Sequence, residues 1–237
     1  MDPKDKLIIA LDVDTAGKAL AIVEALKNDV KFFKVGFELF SSCGPSIVEE
    51  IAGKGCRIFL DLKYHDIPNT VSRAAISAAR LGVFMLNVHA LGGYDMMKKT
   101  AEAVGEEAAR LRIPRPKVIA VTILTSMDEI ALKKVGIDDT MNAEVLTLAK
   151  LAQKAGLDGV VASPSETAIL REALGKDFLI VTPGVRPVWA AAGDQKRIAT
   201  PKDAIASGAS FIVVGRPVTE ALDRAGAARK IIEEINA

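Results

Sequence analysis

The sequence predicts a (β/α)8 barrel, or TIM barrel, that forms a single domain over residues 1–237. Eight short apolar runs alternate with longer amphipathic stretches, and this alternation is typical of parallel α/β folds. The runs are apolar almost throughout, as expected of strands that are covered on both faces. A chain of 237 residues, half of them hydrophobic, can bury the core of one such barrel. The predicted strands span residues 7–11, 32–35, 57–62, 84–88, 118–122, 159–162, 178–181 and 211–214.

The stretches between these strands predict helices, and the longest irregular segment predicts a functional loop. Residues 182–199 follow the seventh strand, and in a barrel this loop lies on the carboxyl-terminal face, where active sites are built. An open, doubly wound sheet is the alternative fold, because alternation alone does not establish closure. No low-complexity linker or block of like charges suggests a second domain. The predicted helices span residues 16–27, 46–54, 70–81, 94–111 and 142–155.

The composition argues against several classes of function. The chain has 31 basic and 30 acidic residues, whereas general binding of nucleic acid needs a basic excess or a basic face. No apolar stretch has the length of a signal peptide or a transmembrane helix. Cys43 and Cys56 cannot form a disulfide framework in a chain of this length, so we expect free thiols in a reducing compartment. We therefore expect a cytoplasmic protein that binds neither nucleic acid nor a membrane.

Ionisable residues occur where several predicted strands end, which indicates a site at one mouth of the barrel. Asp12 follows the first strand and Lys34 lies in the second, and burying such charges is costly unless they are paired. Because side chains alternate along a strand, Asp61 and Lys63 of the third strand are expected to point together into the barrel. A structural ion pair would give the same pattern, but the charges on neighbouring strands favour a functional site. The fourth strand adds the polar residues Asn87 and His89.

The segment after the third strand predicts a turn that leads into a helix. Pro68 disfavours helical geometry at Ile67, so the chain leaves the strand at this point. Asn69 or Thr70 would then suit the N-cap of the next helix. On this pattern alone, Asp66 is interpreted as a turn or capping residue.

The end of the eighth strand predicts a binding site for a phosphate dianion. Gly215 lets the backbone approach a ligand closely, and Pro217 suits the first turn of a helix. Free N–H groups at the start of that helix and the guanidinium of Arg216 would bind the anion. An ordinary strand-to-helix turn with an exposed arginine is the alternative, but barrels often bind phosphate with the loops after strands seven and eight. The seventh loop would contribute Gly184, Arg186 and Gln195.

The third strand and the segment after it resemble the signature of orotidine 5′-phosphate decarboxylases of the bacterial, monofunctional type. The DxKxxD core at residues 61–66 is shared with sugar-phosphate enzymes of the same superfamily, so it marks only the superfamily. The longer motif at residues 59–70, combined with residues 182–187 and Asp194-Gln195, is specific to the decarboxylases. Further matching segments, which extend the resemblance over nearly the whole chain, are residues 9–12, 34–36, 121–126, 194–197 and 214–217.

The resemblance implies an enzyme that removes CO2 from orotidine 5′-phosphate to give UMP, the last step of de novo pyrimidine synthesis. It also implies a homodimer with shared active sites, in which Asp66 and Thr70 reach into the site of the partner subunit. The implied catalytic residues are Lys63, Asp61 and Asp66. The implied substrate-binding residues are Asp12 and Lys34 at the ribose, Thr70 from across the interface, Thr125, Ser126 and Pro183 near the pyrimidine, and Arg186, Gln195, Gly215 and Arg216 at the phosphate.

The implied chemistry is a decarboxylation that uses no cofactor and no metal. Loss of CO2 leaves a carbanion at C6 of the pyrimidine, and most decarboxylases borrow an electron sink from a cofactor. His65 and His89, without clustered cysteines, are weak evidence for a metal site. Lys63 between carboxylates is expected to stay protonated, to stabilise the carbanion and to donate the proton that replaces CO2. The alternatives are a metal-dependent sugar-phosphate decarboxylase or synthase of the same superfamily and a non-catalytic nucleotide-binding barrel.

Overall fold

The eight predicted strands form a closed parallel barrel in the computed structural model, which describes residues 3–190 and 199–236. Each strand pairs with the next in chain order, and the last strand pairs with the first through Ile212 and Leu7. The barrel is therefore confirmed and the open sheet is excluded. The strands are β1 (Leu7–Ala10), β2 (Phe32–Gly36), β3 (Arg57–Tyr64), β4 (Met85–His89), β5 (Lys117–Val121), β6 (Gly159–Val161), β7 (Leu179–Thr182) and β8 (Phe211–Val214).

Helices follow the strands, and all five predicted helices are present. The helices are α1 (Ala16–Leu26), α2 (Phe37–Cys43), α3 (Ser46–Ala52), α4 (Pro68–Arg80), α5 (Gly93–Leu111), α6 (Glu129–Lys134), α7 (Met141–Lys154), α8 (Thr167–Leu174), α9 (Pro201–Ala206), α10 (Arg216–Thr219) and α11 (Arg224–Asn236). Pro217 lies in the first turn of α10, as predicted. The five predicted spans do not include α2, α6, α8, α9 or α11. The runs that form α2, α6 and α9 have only six or seven residues, which is too short to show a helical period.

One predicted helix boundary is wrong. Helix α4 begins at Pro68, so neither Asn69 nor Thr70 is its N-cap. Proline suits the first helical position because its missing N–H would have no partner inside the helix. Ile67 precedes the helix and provides no side-chain cap. The start of α4 is therefore set by the proline.

Apolar side chains are buried on both faces of the strands. Within β1, Ile8 packs inside the barrel, whereas Leu7 and Ile9 pack against the surrounding helices. This double burial explains why the strands appear in the sequence as nearly continuous apolar runs. The inner cluster consists of Ile8, Ala10, Phe32, Phe59, Met85, Ile119, Val121, Val161, Val181, Phe211 and Val213.

Two further observations bear on the composition. Cys56 is buried and Cys43 is half-buried, and both are free thiols, as predicted. Over residues 3–190 and 199–236, no helix combines the length and the apolar character that a membrane-spanning segment needs.

Gly159, the first residue of β6, lies so close to β7 that a larger residue at this position tests the packing of the two strands. A Cβ at this position would overlap the carbonyl oxygen of Leu179 and would lie 2.5 Å from the Leu179 Cβ. We expect Gly159→Ala to lower the free energy of unfolding in urea by about 1–3 kcal/mol, because the backbone of β7 must move.

The matched control is Gly105→Ala in the middle of α5, where the nearest atom to the new Cβ is Nε of Arg115 at 3.7 Å. This variant should be more stable than the wild-type protein by about 0.5–1 kcal/mol, because alanine favours the helix. Equal stability of the two variants would contradict the proposed role of Gly159.

Candidate active site

Four charged side chains at the carboxyl ends of β1, β2 and β3 form a continuous chain of ion pairs. The Lys34 ammonium lies 2.9 Å from Oδ1 of Asp12 and 3.4 Å from Oδ2 of Asp61. The other oxygen of Asp61 lies 2.7 Å from Nζ of Lys63. The signs alternate along the chain, so each charge offsets its neighbours. The structure thus brings together four of the site residues inferred from the sequence, and we call them the charged array.

Asp61 is the buried centre of the charged array. This residue is 9% exposed, and Nδ2 of Asn87 donates a hydrogen bond of 2.7 Å to its Oδ1. Burial raises the pKa of the Asp61 carboxyl, but the charges of Lys34 and Lys63 and the hydrogen bonds from Lys63 and Asn87 outweigh that effect. The net pKa lies below the ordinary value for aspartate, so Asp61 is a carboxylate at neutral pH.

Lys63 departs from regular strand geometry. Its φ is +41°, and the pairing of β3 with β4 shifts register between Leu60 and Tyr64. Such a backbone conformation costs on the order of 1–3 kcal/mol and persists only where the surroundings hold it. The alternation of side chains along a regular strand therefore does not fully explain why Asp61 and Lys63 are in contact, because β3 is irregular at Lys63.

Asn87 is a residue whose role the sequence analysis missed. Its Oδ1 accepts the backbone N–H of Lys63 at 2.7 Å while its Nδ2 donates to Asp61. One fully buried amide thus fixes both the carboxylate of Asp61 and the strained backbone of Lys63. The available signal is a polar amide inside the apolar run of the fourth strand, since buried polar groups need partners.

A cavity of about 180 Å³ lies beside the charged array. Lys34, Asp61 and Lys63 line it together with Thr125 and Pro183 from the loops after β5 and β7. A ligand in this cavity would contact both charged groups and apolar walls, where charges interact more strongly than in water. The apolar lining residues are Phe59, Val121, Leu124, Val161, Val181 and Val213.

Two further clefts adjoin Arg216, where β8 ends. Arg186 and Arg216 line one cleft, and Gly215 and Arg216 line the other together with Asp12. Glu220 lines both clefts. A Cβ on Gly215 would lie 3.8 Å from Oδ2 of Asp12, so this glycine borders the charged array directly. One cleft therefore brings Arg216 next to Asp12 of the array, and the other brings Arg186 next to Arg216.

Three of the exposed residues among the inferred site residues lie away from the cavity. Asp66 and Thr70 are exposed on either side of the start of α4, and Asp66 accepts the N–H of Ile67 at 2.6 Å. Ser126 is exposed in the loop after β5. None of the three lines the cavity beside Lys63 as the described residues form it. Gln195 falls between residues 191 and 198, outside the described residues.

The two histidines stack beside the array, with ring centroids 5.3 Å apart and an interplanar angle of 16°. Burial lowers the pKa of His89, and the neighbouring His65 and Lys63 lower it further. His89 is therefore mostly neutral at neutral pH, and its Nδ1 accepts the N–H of Leu91 at 3.4 Å. In the part of the chain that the structure describes, no three His, Cys, Asp or Glu side chains are grouped as metal ligands.

A closed parallel barrel with ionisable residues gathered at the carboxyl ends of its strands defines an enzyme of the TIM-barrel class. The model of the orotidine 5′-phosphate decarboxylase / HUMPS family matches residues 5–231, and the chain belongs to this family. The resemblance inferred from the sequence motifs is thus confirmed, and the chain is a carboxy-lyase.

Similar proteins agree with this assignment over nearly the full length of the chain. The orotidine 5′-phosphate decarboxylase of Syntrophotalea carbinolica is 53% identical over 237 residues, which cover 100% of this chain and 97% of that protein. The enzyme of the same name from Geobacter sulfurreducens is 52% identical over 234 residues, covering 99% and 97%. The crystal structure of orotidine 5′-phosphate decarboxylase from Lactobacillus acidophilus superimposes with a TM-score of 0.86 at 41% identity, covering 98% of this chain and 100% of that one. An uncharacterized conserved protein from Geobacillus kaustophilus has a TM-score of 0.85 at 37% identity, covering 96% and 99%.

Asn87→Leu tests whether the buried amide positions the charged array. The substitution keeps the branched shape of the side chain but replaces its oxygen and nitrogen with larger methyl groups, so that the N–H of Lys63 loses its acceptor and Asp61 loses one donor. We expect the free energy of unfolding to fall by about 1–3 kcal/mol and kcat to fall about 10- to 100-fold, since small displacements of reacting groups are costly. KM should change little, because Asn87 does not line the cavity.

The control for stability is Thr100→Val in α5, which also removes a buried hydrogen bond, from Oγ1 to the carbonyl of Met96 at 2.7 Å. This variant should lose stability without losing kcat. Asn87→Asp should move the acid limb of the pH profile to higher pH, because a second carboxylate raises the pKa of Asp61. Wild-type kcat in Asn87→Leu would show that Asn87 has no positioning role.

Proposed function

We propose that Lys63, held by Asp61, catalyses the decarboxylation of orotidine 5′-phosphate to UMP and CO2. The matched relatives are named for this decarboxylation, which is the last step of de novo UMP synthesis. The observation that carries the proposal is the 2.7 Å contact between Lys63 Nζ and the buried carboxylate of Asp61, beside a cavity with apolar walls.

In the proposed reaction, the bond between C6 of the pyrimidine and its carboxylate breaks, and the electron pair stays on C6. The Lys63 ammonium stabilises this developing negative charge and then transfers a proton to C6, so that a C–H bond replaces the C–C bond. Lys63 recovers a proton from water after the products leave. One proton is consumed for each CO2 released.

Asp61 supports this reaction through its charge. Its carboxylate accepts a hydrogen bond from the Lys63 ammonium at 2.7 Å and orients that group towards the cavity. The same negative charge would repel the carboxylate of the substrate, and that repulsion ends when CO2 leaves. Because the charge of Lys63 takes the place of an electron sink, the reaction as proposed needs no cofactor and no metal.

The rest of the substrate would extend from the cavity towards β8. The proposal assigns the ribose hydroxyls to Asp12 and Lys34, which can accept and donate hydrogen bonds respectively. Guanidinium groups bind phosphate in a bidentate manner, which suits Arg186 and Arg216 in their shared cleft. The remaining assignments are Thr125, Ser126 and Pro183 at the pyrimidine, and Gly215 and Gln195 at the phosphate.

We also propose a homodimer in which each subunit completes the site of the other. Asp66 and Thr70 are exposed and follow Lys63 closely in the chain, so a facing subunit could receive them. Large apolar side chains exposed near one another favour association between subunits. Four of these follow consecutive strands at the same mouth of the barrel: Phe37 (55% exposed), Ile67 (66%), Leu91 (45%) and Leu124 (40%).

The cellular setting is a proposal as well. A cytoplasmic location agrees with the free thiols Cys43 and Cys56, since reducing compartments keep cysteines unpaired. The formal net charge of +1 agrees with a small-molecule substrate and with the expectation that the protein binds neither nucleic acid nor membrane surface.

The first test is the loss of orotidine 5′-phosphate absorbance with and without a chelator. We expect the wild-type protein to turn over at the same rate in both conditions, because the charge on Lys63 takes the place of a metal. Lys63→Ala should fold but lose turnover by several orders of magnitude, since stabilising charge and proton donor are both removed.

Lys150→Ala, which removes an exposed lysine from α7, is the control for loss of a positive charge. Activity that disappears with the chelator would favour the metal-dependent alternative. Binding of UMP without release of CO2 would favour the non-catalytic barrel, and near wild-type turnover by Lys63→Ala would refute the role of Lys63.

A mixing experiment tests the shared active site. Lys63→Ala and Asp66→Asn should each be inactive alone. If Asp66 acts across the interface, random exchange of subunits restores about a quarter of the sites, because each hybrid dimer has one site with both residues intact. The measurement is turnover after mild dissociation and reassociation, with Lys63→Ala mixed with itself as the control. If hybrid dimers form but regain no activity, Asp66 does not act across the interface.

A further inference from the structure

A separate cleft, of about 460 Å³, opens at the opposite end of the barrel from the charged array. Arg57 and Lys117, the first residues of β3 and β5, line it together with Arg80 and Arg115. The charged array lies at the carboxyl ends of the same parallel strands, so the two sites are separated by the length of the barrel. We call this second site the basic cleft.

The basic cleft concentrates positive charge in a chain that is nearly neutral overall. Four cationic side chains line it, and none of its lining residues in the described ranges is a carboxylate. Glu107 binds Arg80 at 2.7 Å, and Asp158 binds Arg115 at 2.6 Å and Lys117 at 3.1 Å. These carboxylates offset only part of the charge, because Glu107 also binds a further arginine, Arg110, which lies outside the cleft lining.

Of the four cations that line the basic cleft, Arg57 is the one whose side-chain N–H donors make the fewest bonds within the protein. Its guanidinium carbon lies 5.5 Å from the ring centroid of Phe32 and 5.4 Å from that of Phe84. No hydrogen bond or ion pair joins the Arg57 guanidinium to another residue in 3–190 or 199–236. The rings hold the guanidinium in place through cation–π contacts, which leaves its five N–H donors available to a ligand. Guanidinium groups match phosphate oxygens in bidentate pairs.

The remainder of the cleft is apolar and has the size of a small-molecule site. Phe84 is partly exposed beside Arg57, and Pro114 and Pro116 from the loop before β5 form further wall. Such walls suit a flat ring better than a flexible chain. Cationic groups beside apolar walls fit a phosphate monoester joined to a planar heterocycle.

We propose that the basic cleft binds a small molecule of the nucleotide class, with its phosphate at Arg57 and Arg80 and its ring against Phe84. This site is distinct from the barrel mouth and does not depend on the function proposed for it.

The test is isothermal titration of the full chain with AMP as the probe. Arg57→Gln should weaken AMP binding by at least about tenfold, as expected for loss of a bidentate charged contact. Lys150→Gln, which removes an exposed cation outside the cleft, should bind AMP like the wild-type protein. Adenosine should give no measurable binding, inorganic phosphate should bind more weakly than AMP, and Arg57→Gln should keep the wild-type kcat and KM for orotidine 5′-phosphate.

Two outcomes would overturn the proposal. If Arg57→Gln binds AMP as tightly as the wild-type protein and UMP displaces all of it, AMP binds only at the barrel mouth. If adenosine binds as well as AMP, or if AMP does not bind at all, the cleft is not a phosphate site. If a thermal melt shows that Arg57→Gln does not fold, Arg80→Gln replaces it as the test variant. AMP binding by Arg80→Gln should then be at least about tenfold weaker than AMP binding by the wild-type protein.

Discussion

The ionised carboxylate of Asp61 is the constraint on which the rest of the site depends. A carboxylate this deeply buried is unfavourable unless opposite charges and hydrogen-bond donors surround it. Lys34 and Lys63 supply the charges from two strands, and Asn87 supplies a donor from a third. Each lysine in turn depends on this carboxylate, so the array is stable only as a unit. The same ion pair that makes burial of Asp61 tolerable also fixes the position of the Lys63 ammonium.

The geometry of the site also depends on a break in the regular barrel. Regular strands present side chains alternately, and each placement is fixed by register. At Lys63 the strand is irregular, so the direction of the side chain is not set by simple alternation. The side-chain amide of Asn87 stabilises the positive φ of Lys63 by accepting its backbone N–H. Irregularities of this kind are common beside active sites because they re-aim a side chain. The strain is therefore part of how the chain places its proposed proton donor.

The two ends of the barrel use charge in different ways. At the carboxyl ends of the strands, cations and carboxylates alternate and line an apolar cavity. At the other end, the interior closes with the edge-to-face rings of Phe32, Phe84 and Phe211, whose centroids lie 4.9–6.3 Å apart. Arg57 lies over the rings of Phe32 and Phe84. The aromatic cluster that fills this end of the barrel therefore also holds a guanidinium group at the surface.

By itself, the sequence determined the strands of the barrel, because burial on both faces requires runs that are apolar throughout. It also determined which strands carry charge at their ends, and its motifs were sufficient to identify the family. Only the tertiary structure decided that the sheet closes, that Asp61 and Lys63 meet across an irregular strand, and that Asp66 is exposed at the surface of the chain. The polar amide of Asn87 stood out in its apolar strand, but its partner did not, since Asn87 bonds to Asp61 from 26 positions away. Local sequence patterns indicate whether a residue is buried. The partner of a buried polar group depends instead on the register between strands and on backbone strain, which only the complete fold determines.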